Sequence, residues 1–395
     1  MVRPAAAYRA VSVWIAAAFA LLTLAACGSI DGPTIDEALP PAAGEVLGTG
    51  SHKVALLLPL SATGNAAQLG KDMRNAAALA LRDFPSADIQ IVIKDDRGTP
   101  NGARAATTEA LAEGAKLILG PVFAQAVVAT GAIAKPASVP VIAFSTDSTT
   151  ASKGVYLLSF LPQSDVDRIV TYAASQGQSS LAALLPANSY GTVVEATLQR
   201  VAASAGARIV AVERYNLDRA SMQEKAAAIA AIVKQGTVNA VLLPDGGDAT
   251  PPLAQMLAAN GVQAGSVRML GSGQWNEPRV LAEPNLAGGW FPGPTPNGFQ
   301  AFAARFRTAY GKEPLRNASL AYDAVTLAIG LINRQPGDAF SEKAITNPSG
   351  FVGVDGPFRF TATGTNQRAL AVFQAGGGQA TMVSPPPTSF SAGGF

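Results

Sequence analysis

The sequence predicts an α/β protein of two lobes, each a mostly parallel sheet flanked by helices. Short apolar runs, of which residues 53–59 are the first, alternate with segments of helical spacing, and this alternation is typical of parallel strands joined by crossover helices. Roughly 340 residues follow residue 51, more than one ordinary hydrophobic core accommodates. Apolar residues make up 48% of the chain and charged residues 14%, a composition that supports a large buried core.

The predicted strands up to residue 271 are short apolar or alternating runs closed by turn residues, and they cover residues 53–59, 87–95, 116–120, 139–144, 155–160, 180–186, 207–215, 238–244 and 266–271. Between them, alanine- and leucine-rich segments predict helices over residues 65–84, 101–115, 123–135, 165–176, 190–205, 221–234 and 252–260. After residue 290 the alternation stops. Residues 298–310 and 317–333 predict two successive helices, the second apolar on nearly every face and therefore buried. Residues 356–364 and 369–376 predict a final strand pair.

The amino-terminal residues have the pattern of a secreted lipoprotein. Arg3 and Arg9 precede about fourteen mostly apolar residues, the length of a signal-peptide hydrophobic region and too short for a membrane span. The sequence Leu-Ala-Ala-Cys that follows resembles the bacterial lipobox. Residues 1–26 are therefore predicted to be a signal peptide, Cys27, the only cysteine, to carry the lipid, and residues 27–51 to form a tether. An ordinary cleaved signal peptide with an incidental cysteine is the alternative.

Residue 28 bears on which membrane would hold this anchor. In many Gram-negative bacteria an aspartate directly after the lipidated cysteine resembles an inner-membrane retention signal, and this chain has Gly28 there. The sequence therefore favours a periplasm-facing protein held by its lipid in the outer membrane.

The charge balance excludes two classes of partner. The chain has 29 lysines and arginines against 27 aspartates and glutamates. Removal of Arg3 and Arg9 with the signal peptide leaves 27 of each sign. A neutral chain gives no electrostatic reason to bind nucleic acid or an anionic membrane surface, so the lipid is the only membrane contact predicted.

The residue types available argue against an enzyme. The single histidine, His52, lies at the end of the tether, so histidine-based triads and histidine zinc sites have no residues inside the fold. The chain has no thiol besides Cys27, and no glycine-rich dinucleotide or Walker motif follows a strand. We therefore predict no catalytic residues, no metal site and no cofactor. Catalysis by carboxylates alone, or by a serine–lysine pair, leaves no fixed spacing and stays an open alternative.

A binding module is the remaining class, and the residues after the strands are its candidates. In an open parallel sheet, ligands bind beyond the carboxyl ends of the strands. Small, hydroxyl-bearing and acidic residues follow these strands, and they suit a polar or anionic ligand: Ser61, Ser145, Thr146, Asp147, Asn188, Tyr190, Asp245 and Asp248. Each also has a structural interpretation, as a helix cap, a turn residue or a core side chain. Trp275 and Trp290 would line a cleft or, more often, pack in the core, and Asp323 would be paired inside the core.

Five stretches together carry a family resemblance. They begin KVALLLPLSATG, DDRGTPNG, AKLILGPVF, VPVIAFSTDST and LLPANSYG, and their order resembles the type 1 periplasmic-binding fold of leucine/isoleucine/valine-binding proteins. Within that group the chain is most similar to the penicillin-binding-protein activator lipoproteins. The similarity covers residues 53 to about 380.

The resemblance implies two lobes joined by three crossovers, with a ligand held in the cleft between them. By position, we expect the first lobe to comprise residues 52–160 and 297–337, the second residues 161–296 and 338–383, and residues 384–395 to be a disordered tail. The expected cleft residues are Ser61, Phe123, Ala124, Ser145, Thr146, Asp147, Tyr190 and Asp245.

One position departs from the amino-acid binders of this family. In those proteins a carboxylate forms an ion pair with the ligand ammonium. It lies in the loop after the strand whose counterpart in this chain reads VRMLG. This chain has residues 272–275 there, without an acid before Glu277, and an unpaired buried ammonium would cost several kcal/mol. Branched-chain amino-acid binding is therefore disfavoured unless Asp245, Asp147 or Asp323 substitutes.

Two functions follow as hypotheses. The first is a non-enzymatic envelope lipoprotein that activates a bifunctional peptidoglycan synthase, a penicillin-binding protein. The alternative is the solute-binding protein of an ABC importer, whose partner is an ABC permease and whose ligand is an amino acid or a related small polar molecule. A ligand-gated sensor that reports to a partner is a third, weaker hypothesis.

Overall fold

The computed structural model describes residues 44–390. Its strands, in chain order, are β1 (Val46–Leu47), β2 (His52–Leu58), β3 (Ile89–Asp95), β4 (Leu117–Leu119), β5 (Val141–Ala143), β6 (Val155–Leu157), β7 (Ser180–Pro186), β8 (Arg208–Tyr215), β9 (Ala240–Leu242), β10 (Arg268–Leu270), β11 (Trp290–Gly293), β12 (Phe351–Gly353), β13 (Gly356–Phe360), β14 (Asn366–Arg368), β15 (Ala371–Gly376) and β16 (Gln379–Ser384).

The helices are α1 (Asn65–Asp83), α2 (Pro100–Ala112), α3 (Ala124–Ala134), α4 (Pro162–Ser175), α5 (Ser189–Ala205), α6 (Arg219–Val233), α7 (Thr250–Ala259), α8 (Pro278–Leu281), α9 (Pro296–Tyr310), α10 (Ser319–Arg334) and α11 (Glu342–Ile345). Short 3-10 turns occupy Ser148–Thr150, Gly273–Trp275, Pro284–Leu286, Arg316–Ala318 and Pro336–Asp338.

The first lobe is a six-stranded sheet in the order β1-β3-β2-β4-β5-β6. Every pairing is parallel except that of β1 with β3. Side chains of α1, α9 and α10 pack with strand residues such as Leu56 and Ile91 in one core. The predicted burial of α10 is confirmed, because twelve of its sixteen residues are buried.

The second lobe is a seven-stranded sheet in the order β16-β15-β11-β10-β9-β7-β8. The five strands from β8 to β11 in that order are parallel, whereas β15 and β16 are added antiparallel at one edge. Two cores lie on its two faces, one around Trp275 and Phe291 and one around Val170 and Leu185. Two mostly parallel, helix-flanked sheets confirm the predicted α/β two-lobed fold.

The carboxyl-terminal part differs from the expected arrangement. Residues 356–364 and 369–376 are not a strand pair, because β13 pairs with β12 and β14, and β15 pairs with β11 and β16. The turn after β13 brings β14 back onto it, and the chain then passes to the other sheet within residues 369–370. Phe358 and Phe360 of β13 pack in the first-lobe core, so this small antiparallel sheet lies against the first lobe and not, as expected of residues 338–383, within the second.

The chain passes between the lobes three times, as the resemblance implies. The passages follow β6, β11 and β14, over residues 158–161, 294–295 and 369–370. Proline begins α4 and α9, the helices that follow the first two passages, and proline at the first helical position is pre-organised for a helix start.

The ends of the chain fall partly outside the described residues. Residues 1–43, with the expected signal peptide, Cys27 and most of the tether, lie outside them. The expected tail begins at residue 384, but Ser384 closes β16 and accepts a hydrogen bond from Arg168 at 2.7 Å. Phe390 is 8% exposed, and the guanidinium carbon of Arg359 lies 5.0 Å from its ring centre, so the described end of the chain packs through this side chain.

Candidate functional site

A cavity of about 730 Å³ opens between the two lobes beside the crossovers. Both lobes contribute to it, and so does each of the three passages between them. Its walls are formed by Thr146, Asp147, Ser148, Phe160, Leu161, Pro162, Ser164, Asp165, Ser189, Tyr190, Val193, Gly273, Gln274, Asn276, Gly293, Pro294, Arg316, Asn317, Arg368 and Leu370. A cavity of this size lies within the range of small-molecule sites, about 300 to 1,000 Å³.

Asp165 is the acidic group of the second-lobe wall. It lies in the first turn of α4, where the helix dipole favours a negative charge. The backbone N–H of Gly273 donates to its Oδ2 at 2.9 Å. A Cβ at residue 273 would approach that oxygen to 3.3 Å, so glycine permits this close contact.

Burial raises the pKa of Asp165 to about 7, against the smaller opposing effect of the Gly273 N–H. Within residues 44–390, no nitrogen of a lysine, arginine or histidine lies within 4.0 Å of its carboxylate. A desolvated carboxylate without a cation is unfavourable. The cavity therefore presents an acid that a positively charged ligand group would satisfy.

Tyr190 lies beside this acid at the start of α5. The Asn188 side chain caps that helix by accepting from the Gly191 N–H at 3.0 Å, which fixes the turn that carries the tyrosine. The Tyr190 hydroxyl donates to the carbonyl oxygen of Pro244 at 2.9 Å. Burial first, and the charge of Asp165 second, raise the pKa of Tyr190, so its ring and hydroxyl form a neutral wall.

The first-lobe wall is formed by residues 146–148, and one oxygen of its acid is hydrogen-bonded within its own turn. Asp147 caps a 3-10 turn: its Oδ1 accepts from the backbone N–H of Thr149 at 3.0 Å and from the Thr149 hydroxyl at 2.7 Å. The Ser145 hydroxyl in turn accepts from the Asp147 N–H at 3.1 Å. This wall offers hydroxyls, backbone groups and a solvent-exposed carboxylate that is hydrogen-bonded within its own turn.

The crossover end of the cavity is cationic and aromatic. The guanidinium carbons of Arg316 and Arg368 lie 4.8 and 4.6 Å from the ring centre of Phe160. Arg316 also forms an ion pair with Asp355. Arg368 is buried, at 2% exposed, and has no such ion pair among the described residues. Ligand groups at this end meet positive charge, and groups at the Asp165 end meet negative charge.

The structure brings three of the eight expected cleft residues into this cavity: Thr146, Asp147 and Tyr190. The other five lie elsewhere. Ser61 is exposed and its N–H donates to Asp95 at 3.2 Å. Phe123 is 37% exposed beside Gly98 and Ala124 begins α3.

The remaining two are held by neighbours inside their own lobes. The Ser145 hydroxyl accepts a hydrogen bond from the Asp147 N–H. The Tyr215 hydroxyl donates to Asp245, and burial raises the pKa of Asp245.

The two tryptophans and Asp323 have structural surroundings. Trp275 is fully buried, and its Nε1–H donates to the Leu243 carbonyl at 2.9 Å. Trp290 is 8% exposed. Asp323 is 2% exposed and accepts from the Val354 N–H at 2.7 Å; burial raises its pKa to about 7.

Sequence reasoning missed Asp165, Gln274, Arg316 and Arg368. The search followed the carboxyl ends of strands, whereas these residues lie in or next to the crossovers and in a 3-10 turn. The signal for Asp165 was nevertheless present, because it is the first residue of a predicted helix and follows a proline three positions earlier.

Two kinds of feature are absent from the described part of the chain. Across residues 44–390, no group of three or more histidine, cysteine, aspartate or glutamate side chains is placed to hold a metal ion. In the same part of the chain, no helix is both long enough and apolar enough to cross a membrane.

Comparison with known proteins identifies a family and a fold. The family described as periplasmic binding protein matches residues 51–380. No curated protein sequence matches the chain. Solved structures are similar over most of their length, as three of them illustrate.

A protein named as a branched-chain amino acid ABC transporter from Rhodospirillum rubrum has 18% identity and a TM-score of 0.73, covering 84% of this chain and 99% of its own. An ABC transporter substrate-binding protein from Desulfitobacterium hafniense in complex with Leu has 16% identity and a TM-score of 0.61, with coverages of 84% and 99%. An ABC transporter solute-binding protein from R. palustris in complex with benzoate has 19% identity and a TM-score of 0.58, with coverages of 87% and 98%.

Proposed function

The chain belongs to the periplasmic binding protein family, and from that premise we propose that it is the solute-binding protein of an ABC importer for a small, amine-bearing polar ligand. The observation that carries the proposal is the cavity between the lobes, with the carboxylate of Asp165 on its wall and no cation beside it in the described residues. An ammonium group bound there would form a charge-assisted hydrogen bond and offset the desolvation of the acid.

The remaining walls support a ligand that is polar at both ends. Hydroxyls and amides of Thr146, Ser148, Asn276 and Asn317 line the cavity, and these groups both donate and accept hydrogen bonds. Arg316 lies at the crossover end and is 41% exposed, so it is within reach of a ligand carboxylate. The ligand class that fits is a zwitterion or an amide-bearing amine.

Ligand binding would draw the lobes together. Asp165 and Tyr190 belong to the second lobe and residues 146–148 to the first, so one ligand would contact both. Because only the closed arrangement completes these contacts, ligand would favour it over the open one by its difference in affinity.

Activation of a peptidoglycan synthase is the second candidate. Its support from the sequence was the resemblance to the activator lipoproteins, the Leu-Ala-Ala-Cys sequence, and the missing acid in the loop after β10, where residues 272–275 have none. Asp165 supplies a carboxylate at that loop through its bond to the Gly273 N–H, so the argument against an amine ligand loses its force. The importer hypothesis is therefore the better supported.

The lipid anchor stays a proposal in either case, because Cys27 lies outside the described residues. The Leu-Ala-Ala-Cys sequence supports lipidation, and Gly28 supports the outer membrane. Replacement Cys27→Ala should move the protein from the membrane fraction to the periplasmic extract. Separation of inner and outer membranes of the wild type then tests the location, and a protein found in the inner membrane would fit an importer better.

A ligand panel tests the function. Thermal unfolding of the whole chain in detergent should shift upward with leucine and with leucinamide, which both have an amine, and less with 4-methylpentanoate, which has only the carboxylate. Benzoate tests a carboxylate without an amine in a different shape. If none of these ligands, and no wider set of amines, shifts unfolding, while affinity purification from envelopes recovers a peptidoglycan synthase and no permease, the synthase activator replaces the importer.

A further inference from the structure

A second cavity, of about 300 Å³, lies next to the crossovers and has only polar and charged residues on its walls: Gln163, Ser164, Asp167, Arg168, Arg200, Thr361, Thr365, Asn366, Gln367 and Arg368. The first five belong to α4 and α5 of the second lobe, and the last five to the end of the small sheet and its turn. Arg368 and Ser164 also line the cleft between the lobes.

Unsatisfied polar atoms are concentrated here. In the part of the chain that the structure describes, eight buried side-chain nitrogen or oxygen atoms have no hydrogen-bond partner, and four of them are Gln163 Oε1, Asn366 Oδ1 and both Nη atoms of Arg368. Asn366 and Arg368 are each 2% exposed. Buried polar groups are nearly always satisfied in native proteins, so an absent partner is indicated at this place.

The orientation of the two side chains is fixed by one carbonyl. The Asn366 Nδ2 and the Arg368 Nε both donate to the Ser159 carbonyl oxygen, at 2.8 and 2.9 Å. This contact assigns the amide oxygen of Asn366 as the free atom, and it leaves the two terminal nitrogens of Arg368 as free donors. No carboxylate of the described residues lies within 4.0 Å of that guanidinium.

The charges on the walls favour an anion. Three arginines, Arg168, Arg200 and Arg368, line the cavity with one aspartate, Asp167. The Arg168 guanidinium already donates to the Leu370 carbonyl and the Ser384 hydroxyl, each at 2.7 Å. Arg200 lies 4.0 Å from Asp167 and is 61% exposed, so this pair is loose. Burial lowers the pKa of both Arg168 and Arg368, and at Arg368 this desolvation outweighs the opposing charges of Asp323 and Asp355.

We propose that this second cavity binds a small oxyanion of the hydrogen phosphate type, held by Arg368 and Arg200. Phosphate oxygens accept from the free guanidinium nitrogens, a pairing that arginine makes in bidentate fashion. The hydroxyl of hydrogen phosphate donates to the free oxygen of Asn366 or Gln163. One ion thereby satisfies the unpaired donors and one of the two unpaired acceptors, whereas a fully deprotonated sulfate satisfies only the donors.

Ordered water is the competing occupant. At about 30 Å³ for each water, the volume is enough for about ten. Water satisfies the amide oxygens but leaves the positive charge of the walls uncompensated, and this difference is what the experiment measures.

Calorimetric titration of the whole chain with sodium phosphate, at constant ionic strength, tests the proposal. We expect saturable binding, about tenfold weaker binding of sulfate, and none of chloride. Glycerol phosphate distinguishes a phosphate that arrives on an organic carrier from the free ion, and saturable binding of either supports a phosphate site. The assay uses no importer ligand, so its outcome is independent of the proposed function.

Variants locate the site. Arg200→Gln should weaken phosphate binding about tenfold, and Arg368→Gln should abolish it. Arg219→Gln removes an exposed arginine outside this cavity and should leave binding unchanged. If Arg368→Gln does not fold, Arg200→Gln and Thr365→Val decide instead.

Two outcomes would overturn the proposal. One is phosphate binding that is no stronger than that of chloride, or that is unchanged in Arg200→Gln. The other is a crystal grown with phosphate in which the cavity holds only water.

Discussion

The two walls of the ligand cleft are built from similar residues but differ in what they leave free. On the first-lobe wall, both contacts of Asp147 Oδ1 are to Thr149 in its own turn. On the second-lobe wall, Asp165 accepts the Gly273 N–H. Neither carboxylate has a cation within 4.0 Å among the described residues, but Asp147 is solvent-exposed, whereas burial raises the pKa of Asp165. An acid at a helix start is thus a cap in one lobe and an available ligand group in the other.

This difference between the two acids indicates which lobe selects the charge of the ligand. A capping carboxylate is satisfied locally, so a ligand gains little from it. A desolvated carboxylate gains a full ion pair from a ligand cation. The second lobe should therefore select the ligand, and the first lobe should mainly close over it.

Asp165→Asn is the strongest test of whether the charge of the second-lobe wall binds the ligand. It removes the counter-charge while keeping the shape, so we expect affinity for an amine-bearing ligand such as leucine to fall about a hundredfold, since loss of one partner of a buried ion pair costs about 2 to 5 kcal/mol. Calorimetric titration measures the loss. Asp167→Asn is the matched control, because Asp167 lies two residues along α4 and lines the other cavity, and it should bind leucine normally. Equal affinity in the wild type and in Asp165→Asn would contradict the assignment.

Gly271→Ala tests whether the second wall depends on the core beneath it. A Cβ at residue 271 would overlap the indole of Trp275, which is fully buried and closes the 3-10 turn that also contains Gly273 and Gln274. We expect about 2 kcal/mol less stability from this overpacking, together with weaker ligand binding, by denaturant unfolding and titration.

The control for that substitution is Gly330→Ala. Gly330 lies within α10, and a Cβ there meets nothing within 4 Å. Alanine is the better helix former, so this variant should gain about 0.5 to 1 kcal/mol. Similar losses in the two variants would show that the effect is not specific to the Trp275 contact.

The pH dependence of ligand binding should report on the second-lobe wall, because Asp165 has a raised pKa. The pKa of Asp165 is raised from 3.8 to about 7 in the folded protein, so the folded state keeps a proton that the unfolded state loses. The stability that this proton contributes is fully present below about pH 4 and is lost as pH rises toward 7. A ligand ammonium needs the ionised acid.

Affinity for leucine should therefore rise with pH, up to about tenfold for each unit below 7, and level off above it. Titrations at pH 5.5, 6.5 and 7.5, run in parallel on Asp165→Asn, check this expectation. A slope that persists in that variant would assign the titration to another group.

The smallest effect is expected from Asp147→Ala in the first wall. Loss of the cap should cost about 1 kcal/mol of stability and change leucine affinity by less than about threefold, because the carboxylate is already bonded within its turn. Thermal unfolding and titration measure the two quantities. A large loss of affinity with little loss of stability would place the ligand charge on the first lobe and reverse the comparison.

The fold was predictable from the sequence where local pattern and tertiary context agree. Apolar runs such as residues 180–186 are strands, and the helix apolar on most faces, 317–333, is buried as α10. The small antiparallel sheet was not predictable in this way, because β14 (Asn366–Arg368) is entirely polar and β12 has only two apolar residues. Neither segment has the apolar run that identified three-residue strands such as β4.

The site was less predictable than the fold, for a topological reason. Residues after strands, such as Thr146 and Asp147, can be placed at one sheet edge from sequence alone. Asp165 and Arg368 meet the cavity only because three passages of the chain converge there. Their sequence separation of about 200 residues leaves no local pattern that would connect them.

Arg368 lies between the cleft and the second cavity and lines both of them. A guanidinium has five N–H donors. A ligand in the cleft and an anion in the second cavity would therefore compete for the same donors of Arg368, or each would strengthen the hydrogen bonds of the other. Thermodynamic linkage makes any such effect mutual: whatever a solute in the cleft does to the affinity of an ion behind the crossovers, the ion does equally to the solute. Ligand binding would then depend on the ionic composition around the protein as well as on the ligand concentration.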